Sequence, residues 1–373
     1  MVDFTISSTA FSQAPIEYFT PYSNPVQSQL LGQTANINPV SYTFEGMNQN
    51  DFDMAVGGIL LYSDLGGNHR LVTIDKAGYG YVLKRGNLCG SSTSECYPNY
   101  TSGKAGFLPN DPGSVFTFGA NATQCPDLTS PDACHRITSL ALYPDGSPNE
   151  YLYFWPHGET LTALQLSDDT NQTANGSISS TSGVAVNGTS CTPSCPCSTG
   201  SCFTYTVVPG DTITAGGQTQ TITQVTNDTQ LTVSPGFSPN VTGVGWQYAG
   251  YFINPMRDTT VEVDSVFYPG ASVIVSANGD TGGVVWGLAT TSVGGHAQGS
   301  LYAYDAESLS LLWCNNASGS PCDNSSTFTA ARFALPIVAN GYVYIPTAGV
   351  TSMAGSSCTT GAPCSGIAVY SGH

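Results

Sequence analysis

The stretch Gly299-Ser-Leu-Tyr-Ala-Tyr304 opens on a glycine, runs through apolar and aromatic side chains, and stops against Asp305, a turn former. It is too short for an ordinary helix and carries residues that suit a pleated, half-buried surface, so it reads as a β-strand. The same kind of segment recurs along the chain. Gly58-Ile-Leu-Leu-Tyr62, Arg70-Leu-Val-Thr-Ile74, Gly80-Tyr-Val-Leu83, Ser139-Leu-Ala-Leu-Tyr143 and Glu150-Tyr-Leu-Tyr-Phe154 precede it. Ser272-Val-Ile-Val275, Gly283-Val-Val-Trp286, Gly341-Tyr-Val-Tyr-Ile345 and Gly366-Ile-Ala-Val-Tyr370 complete the set. Helical periodicity is nearly absent, and 42 Gly and 23 Pro punctuate the runs. Many short strands between Gly, Asn, Asp and Pro turns make the chain all-β, with mainly antiparallel pairing.

The strands gather into about four groups, at 54–90, 136–168, 270–315 and 333–371. Each runs strand, turn, strand, acidic turn, strand, and repeats of that form predict propeller blades, small twisted sheets buried against their neighbours. Between the second and third groups the composition changes. A low-complexity, Cys-rich segment, Ser167–Cys202, leads into Thr204-Tyr-Thr-Val-Val-Pro-Gly-Asp-Thr-Ile-Thr214, then Gly217-Gln-Thr-Gln-Thr-Ile-Thr-Gln-Val225 and Gln230-Leu-Thr-Val233. Polar residues at alternating positions predict a small β module that packs on one face only. The expected division is therefore first blades over 1–184, an inserted Cys- and Thr-rich module over 185–253, and last blades over 254–373.

The chain of 373 residues carries 8 Lys+Arg against 25 Asp+Glu, a net charge of -17. Nucleic acid and anionic membrane surfaces both require a basic footprint, so neither is expected as a partner. With 40% hydrophobic residues, 20 Tyr and 15 Phe, the composition is that of a packed protein and not of an acidic disordered tail. No apolar run reaches the ~18 residues of a spanning helix, so no membrane span is expected.

The 12 cysteines lie in local sets. Cys89/Cys96, Cys125/Cys134, Cys314/Cys322 and Cys358/Cys364 are neighbours flanked by turn residues, and Cys191, Cys195, Cys197 and Cys202 form a fifth cluster. Short loops closed by disulfides each contribute about 2–3 kcal/mol in the chain-entropy picture. An even count in local pairs predicts an oxidising compartment: extracellular, cell surface or periplasmic. The 191–202 cluster has the alternative of ligating zinc, but its C-x3-C-x-C-x4-C spacing lacks paired C-x2-C knuckles, so no metal is expected. Nine N-x-S/T sequons, at Asn99, Asn121, Asn171, Asn175, Asn187, Asn227, Asn240, Asn316 and Asn324, are candidate glycosylation sites on an exported protein.

One segment carries a resemblance. Ala303-Tyr-Asp305-Ala-Glu-Ser308-Leu309-Ser-Leu-Leu-Trp313 is similar to the blade signature A-x-D-x-x-T-G-x-x-x-W of pyrroloquinoline-quinone (PQQ)-like propellers, with Ser in place of Thr and Leu in place of Gly. There the Asp accepts backbone N–H bonds in the turn and the Trp docks between adjacent blades. Ala277-Asn-Gly-Asp-Thr-Gly-Gly-Val-Val-Trp286 and Val338-Ala-Asn-Gly-Tyr-Val-Tyr-Ile-Pro-Thr347 look like strands of the same family. Asp51-Phe-Asp53-Met-Ala-Val-Gly-Gly58, followed by Leu71-Val-Thr-Ile-Asp-Lys76-Ala-Gly78, resembles a stretch of secreted propellers and of quinoprotein alcohol dehydrogenases. The resemblance covers 16–167 and 268–371 and excludes the insert. A complete ring has seven or eight blades of about 40–50 residues, against about four here. The resemblance thus implies a C-terminal portion, a smaller ring, or a ring completed by another chain.

The resemblance also assigns a catalytic pair. Asp53 falls where the dehydrogenases have the general base for the alcohol, and Lys76 where a cation bonds the quinone oxygens. That chemistry takes PQQ with calcium, and it needs a vicinal Cys-Cys that this chain lacks. The plainer alternative is that Asp51 and Asp53 cap a turn and Lys76 sits in a hairpin. His69, His135, His157 and His296 have no metal spacing, and no G-x-S-x-G, H-E-x-x-H or phosphate loop occurs. Tyr97, Tyr100, Tyr151, Tyr153, Trp155, Trp246, Tyr248 and Tyr251 suit either sugar stacking or sheet packing. The expected function is a non-catalytic secreted or cell-surface scaffold with no cofactor, associating with itself or a complementing chain through sheet edges. The alternatives are a PQQ-dependent oxidoreductase, or a remnant of one, and a carbohydrate-binding protein in which the insert meets a glycan.

Overall fold

In a computed structural model of the chain, the described residues are 54–63, 69–75, 79–84, 115–117, 139–144, 150–156, 160–167, 171–192, 194–195, 197–207, 211–250, 252–262, 270–279, 281–293, 296–315, 321–322, 328–331, 334–350 and 364–371. Among them the fold is β-strand with one four-residue helix, as the sequence predicts. β1 (Met54–Ser63), β2 (His69–Asp75), β3 (Tyr79–Lys84) and β4 (Val115–Thr117) make a first antiparallel sheet in that order. β5 (Ala141–Pro144), β6 (Glu150–Phe154) and β7 (Thr160–Leu166) begin a second.

The chain then leaves to build β8 (Gln172–Thr173), β9 (Ile178–Ser180), β10 (Ala185–Gly188), the helix α1 (Phe203–Thr206), β11 (Thr212–Ala215), β12 (Gln218–Asn227), β13 (Gln230–Ser234) and β14 (Trp246–Ala249). These strands form a seven-stranded sheet in the order β8-β14-β11-β12-β13-β10-β9. β15 (Phe252–Glu262) returns to pair with β7 and completes the second sheet. Last come β16 (Ser272–Asn278), β17 (Thr281–Val293), β18 (His296–Asp305), β19 (Leu311–Cys314), β20 (Phe328–Ala330), β21 (Ile337–Ala339), β22 (Tyr342–Val350) and β23 (Cys364–Ser371). They share one sheet in which the three-residue β20 joins β18 to β22, β19 adds to β18 and β23 adds to β22. All named pairings are antiparallel, and none of the sheets closes on itself among the described residues.

The first two expected strand groups each form a sheet, whereas 270–315 and 333–371, expected as separate groups, share one sheet through β20. β8 and β9 precede residue 185, in the stretch expected to belong to the first blades, yet pair within the insert's sheet, and β15, which begins at Phe252 and runs past 253, belongs to the second sheet.

Side chains alternate across a strand, so every sheet has two faces, and here most faces find an apolar partner. Leu60, Tyr62, Val72 and Ile74 of the first sheet pack on Leu152, Phe154, Leu164 and Leu166 of the second. The second sheet turns Tyr143, Tyr153, Trp155, Leu161 and Ala163 the other way, onto Val273, Val285, Ala289, Tyr302 and Tyr304. The final sheet turns at β20, so that Leu288 and Leu301 of one half meet Phe328, Val343 and Ile345 of the other. Full burial of a large apolar side chain contributes about 1.5–3 kcal/mol, and this stack is where the core lies.

Alternation continues on the two outermost faces. Ile59 and Leu61 on β1 are exposed, as are Ile337, Tyr342, Ile367 and Val369 on β21, β22 and β23. Tyr344 stands between Ile337 and Val369 across the ladder.

The contact between the second sheet and β16–β19 is close and hydrogen-bonded. Tyr153 Oη donates to Ala306 O at 2.6 Å, Ala271 N–H to Trp155 O at 3.0 Å, and Val273 N–H to Ser139 Oγ at 2.6 Å. Gly287 makes the fit possible, since a Cβ there would lie 2.5 Å from Cζ3 of Trp155. Replacing Gly287 by Val is expected to overpack this layer and cost about 1–3 kcal/mol, read as a lower urea midpoint with an unchanged m-value.

Candidate functional site

The seven-stranded insert has a core of its own, with Ile178, Val186, Phe203, Ile213, Ile222, Leu231, Val233 and Trp246 buried. Its pairing bends back on itself: Ile178 and Val244 exchange backbone hydrogen bonds at 2.9 and 3.1 Å, which links β9 to the residues just before β14. The cysteine-rich loop joins β10 to α1 over this core. Ser201 N–H donates to Thr189 O at 2.9 Å and Thr189 N–H to Ser201 Oγ at 3.0 Å, which pinches the base of the loop. Gly188 and Gly200 permit the approach, because a Cβ at either would come within 2.5 Å of Ser201 Cβ and 2.8 Å of Cys191 Cα respectively.

Within the loop, Cys191 bonds Cys197 and Cys195 bonds Cys202, with Cα separations of 6.0 and 5.6 Å. The sulfurs of Cys191, Cys195 and Cys202 lie within 4.8 Å of one another, close enough for a metal cluster if they were free thiols. Paired as disulfides these cysteines offer no thiolate, the form in which cysteine ligates zinc. The second bridge ends on Cys202, next to Phe203, whose ring lies 5.3 Å from Trp246. Trp246 Nε1 in turn donates to Asn175 O at 3.0 Å. The staple is therefore anchored directly to the module core.

Cys314 and Cys322 are bonded as the spacing predicts, with Cα atoms 4.4 Å apart. Cys89, Cys96, Cys125, Cys134 and Cys358 lie outside the described residues, and Cys364 is described only as a strand position. Among the described residues no cysteine is free.

The Asp305 motif is a structural turn. Asp305 Oδ1 accepts from Glu307 N–H at 3.1 Å, Ser308 N–H at 2.9 Å and Ser308 Oγ at 2.8 Å. Leu309, where the family pattern has glycine, takes a left-handed φ of 53°. That conformation costs a non-glycine residue about 1–2 kcal/mol, and burial of the Leu309 side chain among the β16–β19 and second-sheet residues offsets it. Trp313 pairs with Ala303 and packs 5.6 Å from the ring of Tyr370 on β23.

Asp53 and Lys76 lie outside the described residues, and the residues next to them, Met54 and Asp75, pair across β1 and β2. Of the candidate aromatics, Tyr153, Trp155, Trp246 and Tyr248 are buried in cores and Tyr151 packs beside one; Tyr97, Tyr100 and Tyr251 lie outside the described residues. His69 meets Ser63 Oγ at 3.0 Å through Nδ1. His135 and His157 lie outside the described residues, and His296 is described only as the start of β18. Of the sequons, Asn171, Asn175, Asn227 and Asn240 are exposed and Asn187 half-buried, all on the insert; Asn99, Asn121, Asn316 and Asn324 lie outside the described residues. No helix among the described residues is long and apolar enough to cross a membrane. Set against known proteins, the chain matches no family model and no curated protein.

Burial raises the phenol pKa of Tyr153 well above the ordinary tyrosine value, and the nearby Tyr151, Tyr143, Asp305 and Glu307 push the same way. Burial, with help from Asp211, raises that of Tyr248. A tyrosine that stays neutral when folded but ionises near pH 10 when unfolded stabilises fully below about pH 10 and loses that contribution as pH rises further. Tyr153→Phe is expected to lose about 1 kcal/mol at neutral pH and to show a shallower fall in stability above pH 10 than the wild type, measured by urea titration at each pH. Peptide mapping without reduction is expected to recover the links 191–197, 195–202 and 314–322. Replacing Cys195 and Cys202 together by Ser should cost the insert about 2–3 kcal/mol, seen as a lower unfolding temperature.

Proposed function

We propose that this chain is a non-catalytic secreted or cell-surface scaffold, an arc of PQQ-like propeller blades that holds out the stapled insert as a binding module. One observation carries the reading. Leu166 at the end of β7 and Phe252 at the start of β15 are paired, so the whole insert hangs from a single hairpin of the second sheet. The insert's own ends also lie together, because Tyr248 pairs with Gln172. A domain placed this way displays its surface without interrupting the sheet that carries it, as binding segments on rigid scaffolds do.

Three further features support the assignment. The turn at Asp305, with Ser308 and Trp313, is engaged in structure, which fits the blade signature better than a reactive role. The disulfides fit an oxidising exterior. The exposed sequons Asn171, Asn175, Asn227 and Asn240 sit on the insert, where glycan would be tolerated on an exported protein.

Excising 168–250 and closing the hairpin with a short Asn-Gly turn is expected to leave the near-UV circular dichroism of the sheet stack intact. The excised segment, expressed with oxidation, is expected to fold alone. Purified full chain mixed with PQQ, calcium and an alcohol is expected to leave a redox dye unreduced. Turnover of the dye would replace the scaffold reading with the oxidoreductase one, and collapse of the excised stack would remove the modular reading.

A further inference from the structure

We propose that the 191–202 loop is a thiol–disulfide exchange site for dithiols and disulfides of other molecules. Its two-electron-reduced form keeps one bridge, Cys191–Cys202, at the loop base and presents Cys195 and Cys197 as a dithiol. The scaffold reading neither requires this activity nor falls with it.

The two bridges stand close enough to react with each other. The sulfurs of Cys191, Cys195 and Cys202 lie within 4.8 Å of one another, although Cys191 belongs to one bridge and Cys195 and Cys202 to the other. Exchange proceeds by attack of a thiolate on a disulfide sulfur. A thiolate freed at Cys191 therefore has both sulfurs of the second bridge beside it.

Burial decides which bridge opens first. Cys191 and Cys197 are both half-buried, in a loop whose Ser190, Thr192, Ser198 and Thr199 are exposed. The other bridge has one end sealed: Cys202 is only 4% exposed, next to Phe203 of the module core. External attack on Cys195 would expel Cys202 as a thiolate out of reach of water, which is costly. External attack on Cys191 expels Cys197 instead, and that sulfur is prepared to leave. Cys197 Sγ accepts the Gly200 N–H at 3.1 Å and faces Thr199 Oγ1 at 3.6 Å. Both groups stabilise the departing thiolate, and a stabilised thiolate leaves faster.

The first step thus joins the incoming sulfur to Cys191 Sγ and frees Cys197. The second thiol of the dithiol then attacks the incoming sulfur, closes a cyclic disulfide and releases Cys191 as a thiolate. Attack by Cys191 on Cys195 would again expel the sealed Cys202. Attack on Cys202 expels the half-buried Cys195, which water can solvate. The product has a Cys191–Cys202 bridge and thiols on Cys195 and Cys197, the dithiol having given up two electrons and two protons.

The loop already brings the ends of that bridge together. A Cβ on Gly200 would lie 2.8 Å from Cys191 Cα, so Cys191 rests against the segment leading to Cys202. The Thr189–Ser201 hydrogen bonds, at 2.9 and 3.0 Å, clasp the same base. Cys195 and Cys197, separated only by Pro196, fall in the span the new bridge closes. With a disulfide of another molecule as oxidant, the steps run backwards, restore the native pairs and release two thiols.

The test is limited reduction of the full oxidised chain with a small dithiol, followed by acid quenching, alkylation and fragmentation mass spectrometry of the 191–202 segment. Molecules with two labels in this segment are expected to carry them on Cys195 and Cys197, with a 191–202 link. Labels on Cys191 and Cys197 with 195–202 intact would overturn the proposal, as would any other two-label pattern or a direct passage from none to four. A second test needs no trapping. Cys195→Ser with Cys197→Ser in one chain should close the Cys191–Cys202 bridge and titrate the same number of free thiols as the wild type. Two additional thiols would count against the exchange site. Should that variant not fold, the labelling pattern of the native chain decides alone.

Discussion

The structure depends on apolar sheet faces pressed against one another. In the second sheet and in the β16–β19 half of the last one, both faces are covered, so neighbouring residues on one strand, such as Leu152 and Tyr153 or Leu301 and Tyr302, are buried in different layers. A sheet covered on both sides has little room for charge except at the ends of its strands and, in the second sheet, along its edge strand β15. This accounts for a chain in which only 9% of residues are charged although much of it is strand. The layers are fixed in register by a few short polar contacts, chiefly the Tyr153 hydroxyl on Ala306 O and the Ser139 hydroxyl on the Val273 backbone. In so dry a contact each of these groups would be expensive to leave unpaired.

The sequence disclosed the long strands because their signal is dense. Gly58–Tyr62, Arg70–Ile74 and Gly299–Tyr304 carry their own apolar content and turn boundaries, and each lies in a strand. Asp305 was legible for a similar reason: a carboxylate followed at two and three residues by free N–H groups makes its own turn. The short strands were not legible. Gln172–Thr173 and Val115–Thr117 are strands because a neighbour offers a ladder, and nothing local distinguishes them from loop. The start of the insert was hidden in the same way, since Ile178–Ser180 lies in a low-complexity run of Asn, Ser, Thr and Gly with little apolar signal of its own.

The candidate site was legible only in outline. Proximity along the chain identified Cys314 with Cys322 but could not choose among the pairings possible for Cys191, Cys195, Cys197 and Cys202. That choice depends on how Gly188, Gly200 and Ser201 bring the loop back onto β10, which is a tertiary matter. The aromatic set shows the reverse problem. Tyr and Trp have the same appearance in sequence whether they stack on a sugar or fill a layer, and only burial assigned Tyr153, Trp155 and Trp246 to the latter.

The hairpin attachment of the insert also bears on how the second sheet assembles. Pairing β7 with β15 in an unfolded chain means closing a loop from residue 166 to residue 252, about 85 residues. Once the insert has folded, with Gln172 paired to Tyr248, only residues 167–171 and 249–251 separate that pair from the Leu166–Phe252 pair. The entropy of closure then falls by about 2 kcal/mol. Early folding of the insert therefore converts a distant strand pairing into a nearly local one, and the piece that interrupts the sheet in sequence acts as the splint on which that sheet is joined.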